Sequence, residues 1–269
     1  MDLEQATQLE PLGDGRYGVD LRREFAIGGD KPNGGYMLAC LGSAAVGAAT
    51  EAGADHPHPV ATGVQYRLSP NLGPATIETE VARVGRSASQ VSARLLQDEL
   101  TVVAAQFTLG RLSEGSAPYW GSVAAVELAP IGECIGFGGT GGRPVNGTEL
   151  LFDPRHSLQL GPDGPSGNGR GELRAWFRLE GDRPIDPVAL LYVCDAMPPA
   201  TFTVVQTGWV PTLDLTAYVR AVPALGPLRL RFRTQIIQDG FADETCEVWD
   251  STDRLVAQST QMCALRLPS

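Results

Sequence analysis

Pro70-Asn-Leu-Gly-Pro74 returns as Pro223-Ala-Leu-Gly-Pro227, 153 residues further on (Leu72 to Leu225). A repeat of this kind governs every later reading of a chain. The same offset lays Gly85-Arg86 on Gln238-Asp239, the Asp98-Glu99 turn on Ser251-Thr252, Val103-Ala104 on Val256-Ala257 and Arg67 on Arg220. Upstream, Gly29-Asp-Lys-Pro32 matches Gly181-Asp-Arg-Pro184 at an offset of 152 (Gly29 to Gly181). One residue of slack over so much chain points to duplication.

Each copy runs in the same order. A hairpin-like opening comes first, residues 8–12 with 16–22, answered by 149–152 with 171–179. One long apolar segment follows, residues 34–52 or 188–204. Its length and, in the first copy, its Ala, Leu and Met content favour a helix. Pro198-Pro199 and the β-branched residues after them predict that the second helix bends or ends early. Strands close each copy: 60–68, 75–84, 87–97 and 101–112, then 212–222, 228–238, 241–249 and 254–267. Alternation is visible in Ile77, Thr79, Val81 and Arg83, and again in Leu230, Phe232, Thr234 and Ile236. Short turns between sequential strands make the sheet antiparallel. A long helix on such a sheet is an α+β layer. The chain divides into residues 1–112, a Gly- and Pro-rich connection 113–148 crossing the surface, and residues 149–269.

Composition narrows the function. With 269 residues, 43% of them hydrophobic, the chain can bury a sizeable core. Its apolar runs are too short to span a membrane. The acidic N-terminus lacks a signal-peptide pattern, which predicts a soluble, cytoplasmic protein and leaves the Asn146-Gly-Thr148 sequon without meaning. A net charge of −10 argues against nonspecific nucleic-acid binding. Five cysteines without C-x-x-C spacing suggest neither a disulfide framework nor a zinc site. His56, His58 and His156 are not at metal-ligand spacing. Gly13-Asp-Gly-Arg-Tyr-Gly18 and Gly136-Phe-Gly-Gly-Thr-Gly141 match G-x-G-x-x-G, but neither joins a buried strand to a helix. No G-x-S-x-G elbow is present.

One feature of the second copy stands apart. Pro187-Val-Ala-Leu-Leu-Tyr-Val-Cys-Asp-Ala-Met-Pro-Pro199 is an apolar run holding a single carboxylate, Asp195. An isolated carboxylate there is costly unless it is paired, neutralised or employed. Asp195 could instead cap a bend or pair with an arginine such as Arg220.

Asn33-Gly-Gly-Tyr-Met-Leu38 in the first copy, the run around Asp195, and the ending Leu255-Val-Ala-Gln-Ser-Thr-Gln261 resemble the acyl-CoA thioesterase II family. The likeness extends from about residue 15 to 267. It implies a double hotdog: two tandem repeats, each a long helix wrapped by a curved antiparallel sheet. It also implies hydrolysis of acyl-CoA to a free acid and CoA, with no further cofactor. The family's Asp, Thr or Ser, and Gln fall on Asp195, Thr212 and Gln261, although Thr216 lies two pleats beyond Thr212. Two other readings are open: a non-catalytic module binding acyl-CoA or an acyl carrier, and a hotdog dehydratase or hydratase. The latter pairs its Asp with a His five residues on, where this chain has Ala200.

Thioester hydrolysis needs an activated water and donors aimed at the carbonyl oxygen. Burial raises the pKa of an Asp towards that of a useful base. Helix N-terminal amides supply the donors. Gly34, Gly35 and Tyr36 open the first helix with free N–H groups, whereas the second opens with Asp186-Pro187. Conversely, the repeat sets Gly42 or Ser43 against Asp195. One copy has the cradle and the other the acid, which predicts one site per chain, at their junction. Gly34 and Gly35 could alternatively serve close packing, Gln261 and Thr212 could be ordinary strand residues, and Arg67 and Arg220 either contact a CoA phosphate or end strands in solvent. Met37, Leu41, Tyr192 and Met197 are candidates for an acyl tunnel. Self-association through sheet edges is a further expectation.

Overall fold

The structure is a computed structural model that describes residues 3–27, 30–136, 139–140, 148–161, 164–166, 169–181 and 183–267. Part of the Gly29/Gly181 match, part of the 136–141 glycine run and Asn146 lie outside the described residues.

A 15-stranded antiparallel sheet organises the chain. Its first half holds β1 (Glu10–Gly13), β2 (Arg16–Leu21), helix α1 (Gly34–Glu51), β3 (His58–Tyr66), β4 (Gly73–Val84), β5 (Ser89–Gln97) and β6 (Leu100–Gly110). Its second half holds β7 (Thr148–Phe152), β8 (Glu172–Leu179), helix α2 (Ala189–Val193), β9 (Thr212–Val219), β10 (Leu228–Arg233), β11 (Phe241–Trp249) and β12 (Leu255–Ala264). β3 and β9 pair antiparallel at the centre, with Gln65 opposite Asp214 and Ala61 opposite Tyr218. From that seam the order runs β3, β6, β5, β4, β2, β1 one way and β9, β12, β11, β10, β8, β7 the other. These six strands on each side mirror each other in order; three two-residue strands, Ile135–Gly136, Gly139–Thr140 and Ile237–Gln238, add to the second side alone.

Helix α1 is apolar around most of its circumference, and twelve of its residues are buried. A helix of that kind belongs inside a core. The sheet supplies the other wall through alternate residues such as Val91, Ala93 and Leu95 on β5. The second helix is much shorter than the apolar segment that announces it. The α-helix ends at Val193, turn bonds from the Cys194, Asp195 and Ala196 amides finish it, and a 3-10 turn at Ala200–Thr203 follows. Pro198 and Pro199 have no N–H to extend the ladder, and a residue before proline avoids helical geometry. Asp195 therefore sits in the turn after the helix, not inside it.

The connection between the halves lies against the outer face of the second half. Trp176 Nε1 donates to the Ala129 carbonyl at 2.9 Å, and Arg174 Nη1 to that of Glu127 at 3.0 Å. All five cysteines are buried and unpaired. No helix among the described residues is long and apolar enough to cross a membrane.

Candidate active site

The N-terminus of α1 meets the turn after α2. Asn33 joins them through both ends of its side chain: Oδ1 accepts the Tyr36 N–H at 2.9 Å, and Nδ2 donates to the Asp195 carbonyl at 3.0 Å. The former bond is an N-cap, with Asn33 extended at φ −62° and ψ 141°. The next amide is directed differently. Gly35 N–H donates to Asp195 Oδ2 at 2.8 Å.

Both glycines are required by close approach. A Cβ on Gly35 would lie 2.8 Å from the Tyr192 carbonyl oxygen and 2.9 Å from Asp195 Cβ. A Cβ on Gly34 would lie 2.7 Å from Asp195 Oδ2 and 3.1 Å from Tyr66 Oη. Tight packing and presentation of amides are thus one feature here, not alternatives. The cradle is narrower than the sequence suggests. Gly35 N–H is bound to Asp195, and Tyr36 N–H to Asn33. The Tyr36 ring is itself core, its hydroxyl donating to the Ala6 carbonyl at 2.8 Å. Gly34 N–H has no intrahelical acceptor at its position and no other acceptor among the described residues.

Asp195 lines a cavity of about 840 Å³. Its pKa is pushed up to about 7, first by burial and then by the charge of Glu244; the Gly35 N–H opposes the shift. Gln261 and Thr212 line the same cavity. Gln261 shares the inward face of β12 with Ser259 and Cys263. Its Nε2 donates to Glu244 Oε2 at 2.9 Å, and its Oε1 has no partner among the described residues. Thr212 and Thr216 separate at a bulge between Thr212 and Asp214, which breaks the alternation. Thr212 stays at the cavity, its Oγ1 3.9 Å from Cys263 Sγ, whereas Thr216 is exposed.

Met37, Tyr192 and Met197 line the cavity together with Phe25, Leu150 and Phe202. Leu41 does not; it is in the core. Arg67 and Lys31 also line it. Arg220 is elsewhere, its Nε bonded to Gln258 Oε1 at 3.1 Å and its guanidinium 5.8 Å from the Tyr218 ring centre. Asp195 and Arg220 are not a pair. Gly42, which the repeat sets against Asp195, is enclosed by Leu191, Phe107 and Val188, all apolar. Among the described residues no cluster of three or more His, Cys, Asp or Glu is placed to hold a metal ion.

Two residues at the cavity escape the sequence reading. Glu244 is 1% exposed on the inward face of β11, between Ala242 and Cys246. A carboxylate interrupting an apolar inward row is a visible signal. Tyr66 ends β3, and its buried hydroxyl has no partner among the described residues. Burial and the neighbouring Asp195 raise this phenol well above its ordinary range, so it remains a neutral O–H. Nothing in its local sequence distinguishes it from a core tyrosine.

An antiparallel sheet folded about a buried helix, with a carboxylate against that helix's N-terminus, defines a hotdog-type protein. The acyl-CoA thioesterase N-terminal domain matches residues 21–110 and the C-terminal domain residues 134–265, and the chain belongs to this family. An uncharacterized protein of Mycobacterium tuberculosis H37Rv is 31% identical over 265 residues, covering 90% of this chain and 88% of that one. A Thermobifida fusca YX structure, provisionally termed a thioesterase II, is 28% identical, with a TM-score of 0.83 over 99% of this chain and 98% of its own. An acyl-CoA thioesterase II of Mycobacterium marinum shares the fold at 20% identity, with a TM-score of 0.74 and 99% of each chain covered.

Proposed function

We propose that the protein hydrolyses acyl-CoA thioesters to a free carboxylic acid and CoA, at one site per chain. The observation that carries this reading is the bond from Gly35 N–H to Asp195 Oδ2 in the wall of an apolar cavity. Asp195 is the general base. As a water oxygen bonds to the thioester carbonyl carbon, Asp195 takes one of the water's protons. When the tetrahedral intermediate collapses, the C–S bond breaks and the sulfur leaves with that proton. One water is consumed, and one acid and one thiol are formed.

Gln261 Oε1 and Thr212 Oγ1 are acceptors for the water. Gly34 N–H and Tyr66 Oη–H are donors for the carbonyl oxygen, in a setting where fixed donors are worth most. The cavity takes the acyl chain between Met37, Leu150, Met197 and Phe202. Arg67 and Lys31, which line the cavity, are the cations that meet the phosphates of CoA in this reading. The mirrored strand order supports two tandem hotdog repeats divided near residues 113–148. The apolar packing around Gly42 supports a single site at their junction.

Free-thiol release from acyl-CoAs of short to long chain, with wild type beside Asp195→Asn, tests the reading. Turnover that collapses in the variant while its Tm does not fall supports it. Equal turnover by both proteins removes Asp195 from the mechanism. Saturable binding without thiol release by wild type would make the chain a binding module.

A further inference from the structure

Glu244 is a buried carboxylate that the proposed mechanism does not use, yet it touches the machinery on two sides. Gln261 Nε2 donates to its Oε2 at 2.9 Å, and Cys263 Sγ lies 3.4 Å from the same oxygen. Its Oε1 accepts the backbone N–H of Thr201 at 3.2 Å. Thr201 belongs to the 3-10 turn that follows Asp195 and the two prolines. A carboxylate on β11 therefore ties the strand carrying Gln261 to the segment carrying Asp195.

A glutamine amide has a donor end and an acceptor end of nearly equal shape. Left alone in a cavity wall, it would present either to a water. The carboxylate breaks this symmetry: an ionised acceptor takes Nε2 and repels Oε1. Oε1 is then the atom left over, buried and without a partner among the described residues. Such an atom calls for a donor.

We propose that Glu244 is a positioning residue, holding Gln261 so that its amide oxygen is the end offered to the attacking water. The inference rests on the hydrolase reading for its use, but not for its geometry. Asp195 and Glu244 are two carboxyls in one apolar enclosure. The charge of Glu244 disfavours ionisation of Asp195, and burial raises both; at Glu244 the Gln261, Thr201 and Cys263 donors oppose the rise by favouring the ionised form. The groups around them are Tyr192 on α2, Cys194 beside Asp195, Tyr66 on β3, Cys246 on β11 and Cys263 on β12. Burial raises every one of these, so each is neutral where the carboxyls titrate.

The experiment is Glu244→Gln, read by the ¹³C titration of the Asp195 carboxyl and by thiol release. Without the facing charge, the Asp195 titration and the acid limb of kcat move to lower pH. Without a fixed acceptor, kcat falls about tenfold or more, while KM and Tm hold. An unchanged Asp195 titration with unchanged kcat overturns the proposal. So does a fall in Tm with kcat and the titration intact, because the role is then structural. Should the variant not fold, the wild-type Gln261 side-chain amide decides: protons slow to exchange and shifted as in a carboxylate bond support the contact, and a free-amide signal overturns it. Absence of thiol release from wild type would sink the hydrolase reading alone, because the Asp195 titration reads Glu244 without turnover.

Discussion

Gly35 N–H and Asp195 Oδ2 are 2.8 Å apart in space and 160 residues apart in sequence. The contact exists because two glycines let the N-terminus of α1 come down on the turn after α2. The glycines should fail in different ways. Gly35→Ala drives a methyl group into the Tyr192 backbone. Backbone cannot step aside, so a loss of about 1–3 kcal/mol is expected, visible as a lower Tm. Gly34→Ala meets only side-chain atoms, of Asp195 and Tyr66. Its Tm should hold within a few degrees while thiol release falls, because the displaced groups are the carboxylate and the phenol. A similar Tm loss in both variants would contradict this division.

The Asp195 carboxyl, pushed up to about 7 chiefly by burial, gives a pH dependence of definite sign. The base form is absent below the folded pKa, so kcat/KM should rise with pH and level off above about 7. Stability runs the other way. An unfolded Asp titrates near its ordinary value of about 4. Between that pH and about 7 the folded chain holds the proton and the unfolded chain does not. Stability is therefore present at low pH and lost as pH rises through the folded pKa. Above that point Asp195→Asn, which carries no charge to bury, should melt at a higher temperature than wild type. The difference should close as pH falls. Melting curves and initial rates across the same buffers test both limbs.

The sequence reading reached the layer architecture because the duplication left turns in register: an offset of 153 carries β3 onto β9, β5 onto β11 and β6 onto β12. It reached Asp195 because a charge in an apolar run is conspicuous. It misjudged how α1 spends its amides. Which donor an Asn side chain caps, and which a carboxylate from the other half captures, is decided by packing across 160 residues. Thr212 and Thr216 were inseparable for a related reason, since strand parity cannot reveal a bulge. Glu244 was legible from the inward row Ala242, Glu244, Cys246 and Val248, once β11 was known to face the cavity. Tyr66 was not, because only its position beside Gly34 and Asp195 sets it apart.

Tyr66→Phe removes one oxygen and almost no volume. The hydroxyl is buried without a partner among the described residues, and an unsatisfied polar group costs stability. The variant should therefore be as stable as wild type or slightly more so. If the phenol polarises the thioester carbonyl, kcat/KM should fall about 100-fold, the usual scale for losing one such donor. Steady-state rates and melting curves on the same preparations check the pair of outcomes. Undiminished rates would leave Gly34 N–H as the donor and Tyr66 as a wall.

Arg67 and Arg220 occupy equivalent places in the repeat and should behave differently. Arg67 follows β3, just beyond the Gln65–Asp214 pair near the start of β9, and lines the cavity. Arg220 follows the far end of β9, roughly 25 Å along the strand from Thr212, and is engaged with Gln258 and Tyr218. CoA carries several phosphate charges at the end remote from the thioester, so a cation beside the opening acts on binding and not on the chemical step. Arg67→Ala should raise KM about fivefold with kcat little changed, the scale of one exposed charge contact. Added salt should narrow the difference from wild type, because it screens exposed charges. Arg220→Ala should leave KM, kcat and the salt response as they are. Initial rates for the three proteins at low and high ionic strength decide the matter. Equal effects from the two arginines would mean that the charge of the whole sheet, not the cation beside the cavity, attracts the substrate.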